Sequence, residues 1–337
     1  MMPKRPVLVM VVTFLSAFAL LRLAFADGLN GDEDFAELAR RGFAETVNNA
    51  VTNPGTFVTN VGNQGNSYAW SMIWWPSHGS EPGRLYVGSN ADAACGTDSG
   101  SPDIVGTCPT ASQFLGQAIP PIPGANQRPQ IWRYTPNLGD ARNGIWERVF
   151  VSPLTPLLPR LGFLSPQVSR DFGYRTMILC DAGGTERLYV ANFGWGGRIL
   201  FTVDGTTWQQ ASTNGLPSFT PSSGAGNLGF RAMACKDGGL WVSPAGISTD
   251  TDASSDPRIF FNPNPANTSS TWRAISPAGA CDPANTSIFD MDVFNGFVYA
   301  GAGSTPAGAQ VCKTDGCNKN SNGTLQNPQN PNTCTAT

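Results

Sequence analysis

Two arginines stand at matching places in this chain. In "YRTMILC" (174–180) and "FRAMACK" (230–236), Arg175 and Arg231 each precede a methionine by two residues. Paired guanidiniums make a forked receptor for carboxylate or phosphate, although pairing with carbonyls or acids between repeats is the plainer role. A third phrase, "IFDMDVF" (288–294), sets Asp290 and Asp292 around the equivalent Met291. Residues two apart on a strand share a face. Two carboxylates so placed can couple their titrations and act as an acid/base or metal pair. Arg175, Arg231, Asp290 and Asp292 are therefore the candidate catalytic residues. No Glu, Tyr or His can be assigned beside them.

Other patterns suit binding better than catalysis. "WWPSH" (74–78) sets Trp74 and Trp75 next to the chain's single histidine, His78. Adjacent aromatics offer a platform for a sugar face, and equally for packing on their own strand. "DTDASSD" (250–256) places Asp250, Asp252, Ser254 and Asp256 at alternate positions. That spacing suits oxygen ligation of a structural calcium, although it lacks the central Gly and terminal Glu of an EF-hand, and a solvated loop is the plainer reading. No other cofactor is expected. Eight cysteines, an even number, favour disulfides in an exported chain; Cys95–Cys108 would staple a long loop and Cys312–Cys317 a turn. Thiolate metal binding is disfavoured, since the chain has no CxxC and one histidine.

The elements that must carry these residues recur. "YAWSMIWW", "YRTMILC", "FRAMACK" and "IFDMDVF" share a register marked by Met72, Met177, Met233 and Met291. Each is followed by an apolar run: "GRLYVGS", "ERLYVAN", "GGLWVSP" or "NGFVYAG". Then come "QIWRYTPNLGDARNGIW" (130–146), "RILFTVDGTTW" (198–208), "RIFFNPNPANTSSTW" (258–272) and the shorter "QVCKTDG" (310–316), three of them ending at Trp146, Trp208 or Trp272. The unit is strand, turn, strand, loop, strand, turn, Trp-led strand. Such a meander cannot bury both faces alone and must be sandwiched by its neighbours. The fold class expected is all-β: a β-propeller of four-stranded antiparallel blades, with about four blades in view. Residues 90–129 and 151–168 read as insertions around the first blade, with a degenerate extra blade as the rival.

"TVDGTTW" (202–208) resembles an Asp box, the hairpin turn of sialidase-like and related propellers, one residue short. "KTDG" (313–316) is a partial second match. The chain is similar in phrasing to exported bacterial propellers of kelch or Asp-box type. The resemblance implies that Asp204 and Thr207 tie the turn and that Trp208 packs below it. It also implies that Arg175 and Arg231 resemble part of the sialidase arginine cluster. That cluster is incomplete here, because Trp70 and Phe289 hold the other two positions.

The ends depart from the repeat. Residues 1–26 have the basic start, apolar run and "AFA" of a cleaved signal peptide, rather than of a membrane anchor. Within 27–67, residues 31–47 have a helical period, and 56–62 read as a strand able to close the last blade. Blades occupy 68–316. Residues 317–337 form a polar, Asn-rich tail, so the fourth blade is unfinished and the propeller is expected to be incomplete. Sequons at Asn267, Asn285 and Asn322 matter only in a eukaryotic secretory route. The chain has 21 basic and 24 acidic side chains, with Lys4, Arg5 and Arg22 in the leader. The remainder is thus acidic overall and suits neither nucleic acid nor anionic membrane. The expected role is a secreted, extracellular or periplasmic binding or scaffold module for a glycan or protein. The alternative is a glycoside hydrolase or lyase working in the channel.

Overall fold

The computed structural model describes residues 68–76, 82–90, 128–137, 140–156, 167–194, 196–217, 219–220, 225–226, 229–244, 257–304, 308–314, 318–319 and 325–326. Every regular element among them is a strand. The first meander is β1 (Tyr68–Trp75), β2 (Arg84–Asn90), β3 (Gln130–Asn137) and β4 (Asp140–Val151), paired antiparallel in order. A hairpin follows, β5 (Leu154–Pro156) with β6 (Gln167–Ser169). The second meander is β7 (Asp171–Cys180), β8 (Arg187–Gly194), β9 (Ile199–Thr202) and β10 (Gln209–Gln210). After the hairpin β11 (Phe219–Thr220) and β12 (Ala225–Gly226), a third meander runs β13 (Phe230–Lys236), β14 (Gly239–Pro244), β15 (Phe260–Asn262) and β16 (Arg273–Ala274). A three-stranded meander closes the series: β17 (Ser287–Phe294), β18 (Phe297–Ser304) and β19 (Gly308–Thr314). The hairpin β20 (Asn318–Lys319) and β21 (Leu325–Gln326) falls in the segment read as a polar tail.

The leading strands neighbour one another in order, β1 by β7, β7 by β13 and β13 by β17. The single bridge Asn90–Gly173 joins the first two meanders into one antiparallel sheet. β2 pairs directly with β3.

Burial explains why the strands lack polar alternation. In β8, Leu188 and Val190 enter a core shared with the first meander, while Tyr189 and Ala191 enter one shared with the third. In β14, Leu240 and Val242 face back and Trp241 faces forward. Both faces are apolar because both are covered. The methionine register obeys the same rule. Met177, Met233 and Met291 each point toward the preceding meander. The residues beside each methionine point toward the following one: Ile73, Ile178, and both Ala232 and Ala234. No described element precedes β1, and Met72 there is 64% exposed.

One disulfide expectation is corrected. Cys312 is bonded to Cys281, with Cα atoms 5.6 Å apart, and not to Cys317. Pairing with β18 turns Cys312 inward, into the core that also holds Ala280, so the turn carrying Cys281 is its neighbour. A second bridge, Cys180–Cys235, ties the ends of β7 and β13. Cys95, Cys108 and Cys317 lie outside the described residues. So do the leader, the helix over 31–47, the strand over 56–62, His78, and Asp250, Asp252, Ser254 and Asp256.

Candidate functional site

Each leading strand slips register at the same place. The irregularities fall between Ala69 and Ser71 in β1, Tyr174 and Thr176 in β7, Phe230 and Ala232 in β13, and Ile288 and Asp290 in β17. The residues released from regular pairing are Trp70, Arg175, Arg231 and Phe289. A bulge re-aims a side chain out of the ladder, and here it does so four times over. The released side chains meet across meanders. The Arg175 guanidinium lies 4.8 Å from the Trp70 ring centre and 5.7 Å from that of Phe193. Arg231 lies 4.8 Å from the Phe289 ring, which is 54% exposed. Gly173 permits this arrangement, because a Cβ there would come within 2.4 Å of the Trp70 ring. Burial lowers the pKa of Arg231, yet a guanidinium keeps its charge at any ordinary pH. The outcome is two half-buried cations on neighbouring strands, each with a guanidinium against an aromatic ring.

Asp290 and Asp292 share an exposed face, as their spacing predicts. Each accepts a hydrogen bond from the next backbone N–H, Met291 at 2.9 Å and Val293 at 2.7 Å. They occupy the positions of Ala232 and Ala234 in the third meander and look away from it. Arg231 meets this strand at Phe289, not at either carboxylate.

A cleft of about 710 Å³ opens between the first two meanders. Trp75, Tyr86, Arg84, Arg133, Glu186 and Asp204 line it. The Trp75 indole N–H donates to Glu186 at 3.0 Å, and its ring lies 5.7 Å from that of Tyr86. Arg133 is paired with Glu147 at 2.8 Å. Trp74, by contrast, points out of this core, half exposed, with its ring over Gly83.

The turn that forms one wall of the cleft is tied by side chains. Asp204 accepts from the Thr206 and Thr207 amides at 2.8 and 2.7 Å and from the Thr202 hydroxyl at 2.9 Å. Burial alone would raise the Asp204 pKa. The Thr207 and Thr206 amides, with the two threonine hydroxyls, instead hold it well below the ordinary carboxylate range. Trp208 then packs on Phe150 of the first meander.

A buried polar cluster was not foreseen from sequence. Asp171 is wholly buried and accepts from Ser152, Tyr174, Asn192 and Arg170. Burial, then the Asp171 charge, pushes the Tyr174 phenol well above its usual pKa. Asn192 in turn accepts from the Arg198 backbone at 2.6 Å. Asn285, one of the sequons, is buried and donates to Gly279 and Gln310, so the folded chain offers no glycan acceptor there.

No protein-family model and no curated protein matches this chain. Among solved structures it is similar to the crystal structure of cobalt-substituted Synechocystis ACO, at 10% identity and a TM-score of 0.34. The match covers 75% of this chain and 48% of that one, so the chain spans about half the length of that structure. A likeness this slight bears on neither fold nor function. No helix among the described residues is long and apolar enough to cross a membrane.

Proposed function

We propose that the chain is an exported β-propeller of about four blades that works as a binding module. Its leading strands line the channel and take a carboxylate-bearing ligand, a glycan or a protein segment. The observation that carries this reading is the register-matched set of bulges, which sets Arg175 and Arg231 on aromatic faces of neighbouring strands. The order of the leading strands and the meander cores support a propeller. The Asp204 turn supports the likeness to an Asp box. Two disulfides and the leader-like N-terminus support an exported compartment.

The test is a calorimetric titration with tetragalacturonate and with a short poly-glutamate peptide. Binding of either, weakened about 10- to 100-fold in Arg231→Ala and in Arg175→Ala while the melting curve stays cooperative, is expected from the loss of one charge-assisted contact. Lysine at either position should rescue only in part, since it lacks the fork. Absence of anion binding, or binding indifferent to both substitutions, overturns the reading.

A further inference from the structure

We infer that the cleft between the first two meanders is a second binding site, one that takes a neutral sugar ring. It goes beyond the anion site on the leading strands and does not depend on it. The cleft has two kinds of surface. Trp75, Tyr86 and the two prolines Pro76 and Pro82 give it an apolar wall. Arg84, Arg133, Glu186 and Asp204 give it two guanidiniums and two carboxylates. Arg133 is already paired with Glu147 and the other three charges are mixed in sign, so the cleft is not a dedicated receptor for a single ion. What they do provide is donors next to acceptors, the arrangement that vicinal hydroxyls satisfy, because each hydroxyl both donates and accepts.

A pyranose has the matching shape. Its C–H face is apolar and its rim is hydroxylated. Stacked on Trp75, it would exclude water from the indole while its rim reached the charged groups. The Trp75 ring is already held for this. Its N–H is fixed by Glu186 and its face is braced by Tyr86, so little side-chain freedom is lost on binding. Tyr86 is itself fixed from the opposite side, where its hydroxyl lies against Gly205 of the Asp204 turn. The volume, about 710 Å³, lies within the range of small-ligand sites and accommodates more than one ring.

The test uses neutral oligosaccharides on the full chain: cellotetraose, maltotetraose and chitotetraose, each titrated by calorimetry and by tryptophan fluorescence. At least one should bind at roughly millimolar affinity or better. Trp75→Ala should weaken it about tenfold or more. Trp75 also packs in the core, so Glu186→Gln is the companion variant. It keeps the shape and the contact to Trp75, and should weaken binding several-fold without moving the melting temperature. Val311→Ser, on the exposed face of β19, should change nothing. No binding by any of the three sugars overturns the inference. So does binding that survives both Trp75→Ala and Glu186→Gln. A proline-rich peptide that occupies the cleft in preference to all three sugars also overturns it. Anion binding that depends on Arg231 would stand or fall separately in every case.

Discussion

Replacing Asp171 by alanine should unfold the contact between the first two meanders before anything else. Its carboxylate accepts five hydrogen bonds: from Ser152 Oγ at 3.0 Å, Tyr174 Oη at 3.0 Å, Asn192 Nδ2 at 2.7 Å, and Arg170 Nε and Nη2 at 3.2 and 2.8 Å. Ser152 directly follows β4 of the first meander and Asn192 lies in β8, so the cluster spans the junction. Arg170 keeps some access to water and can be rehydrated when its partner goes. Ser152, Tyr174 and Asn192 are buried and cannot. Each stranded donor costs about 1–3 kcal/mol, and the costs are not additive. Removing one member of a buried charged pair typically costs about 3–5 kcal/mol, and we take that as the expected loss for Asp171→Ala. A chain of this size loses roughly 2–4 °C per kcal/mol, so the melting temperature should fall by about 6–20 °C. Asp171→Asn keeps one acceptor oxygen but turns the other into a donor facing donors, and should fall between Ala and the native protein. Urea unfolding followed by tryptophan fluorescence gives both values. If both variants stay within about 1 kcal/mol of the native protein, the cluster does not hold the junction and the reasoning fails.

The Asp204 turn and the disulfides give two further expectations. Gly205 has φ +73°, and a Cβ there would lie 1.8 Å from the Tyr86 hydroxyl, so Gly205→Ala should destabilise by more than about 1 kcal/mol in the same urea assay and should distort the cleft. Peptide mapping without reduction should recover Cys281 linked to Cys312 and Cys180 linked to Cys235; the second bridge closes a 55-residue separation, and its removal as a double serine variant should cost about 4 kcal/mol in a calorimetric melt.

Much of the strand order was legible because the repeat is a burial pattern. Met72, Met177, Met233 and Met291 mark one register, and the structure starts a leading strand around each. The Asp204 turn was legible too, since Asp204 has local backbone partners in the Thr206 and Thr207 amides. What sequence hides is anything set by a distant neighbour. The bulges at Trp70, Arg175, Arg231 and Phe289 leave no local mark, because a register slip is a relation between two strands. Thr202 looks like one more strand residue until its hydroxyl is seen to receive the Gly205 amide at 2.9 Å. Asp171 belongs to none of the repeated phrases, and its partners lie up to 21 residues away. Cys312 and Cys317 are close in sequence, but pairing with β18 faces Cys312 toward Cys281 instead.

The two positions beside the methionine look toward the next meander: Ser71 and Ile73, Thr176 and Ile178, Ala232 and Ala234. Where a described meander covers them they are small or apolar; Ser71 sits 2.8 Å from the Tyr174 carbonyl, and Ala232 and Ala234 are fully buried. On β17 the same two positions are Asp290 and Asp292, both exposed. Their neighbours on that face are mixed in character. The Phe294 ring lies 6.3 Å from that of Tyr299, and Lys313 sits 4.6 Å from the Phe297 ring. Packing another apolar sheet there, as the third meander packs on the second, would bury two carboxylates two residues apart, and each would need a counter-charge or a proton. The face of β17–β19 therefore differs from the faces that hold the meanders together: it mixes two carboxylates and Lys313 with Phe294, 71% exposed, and Val311, 76% exposed.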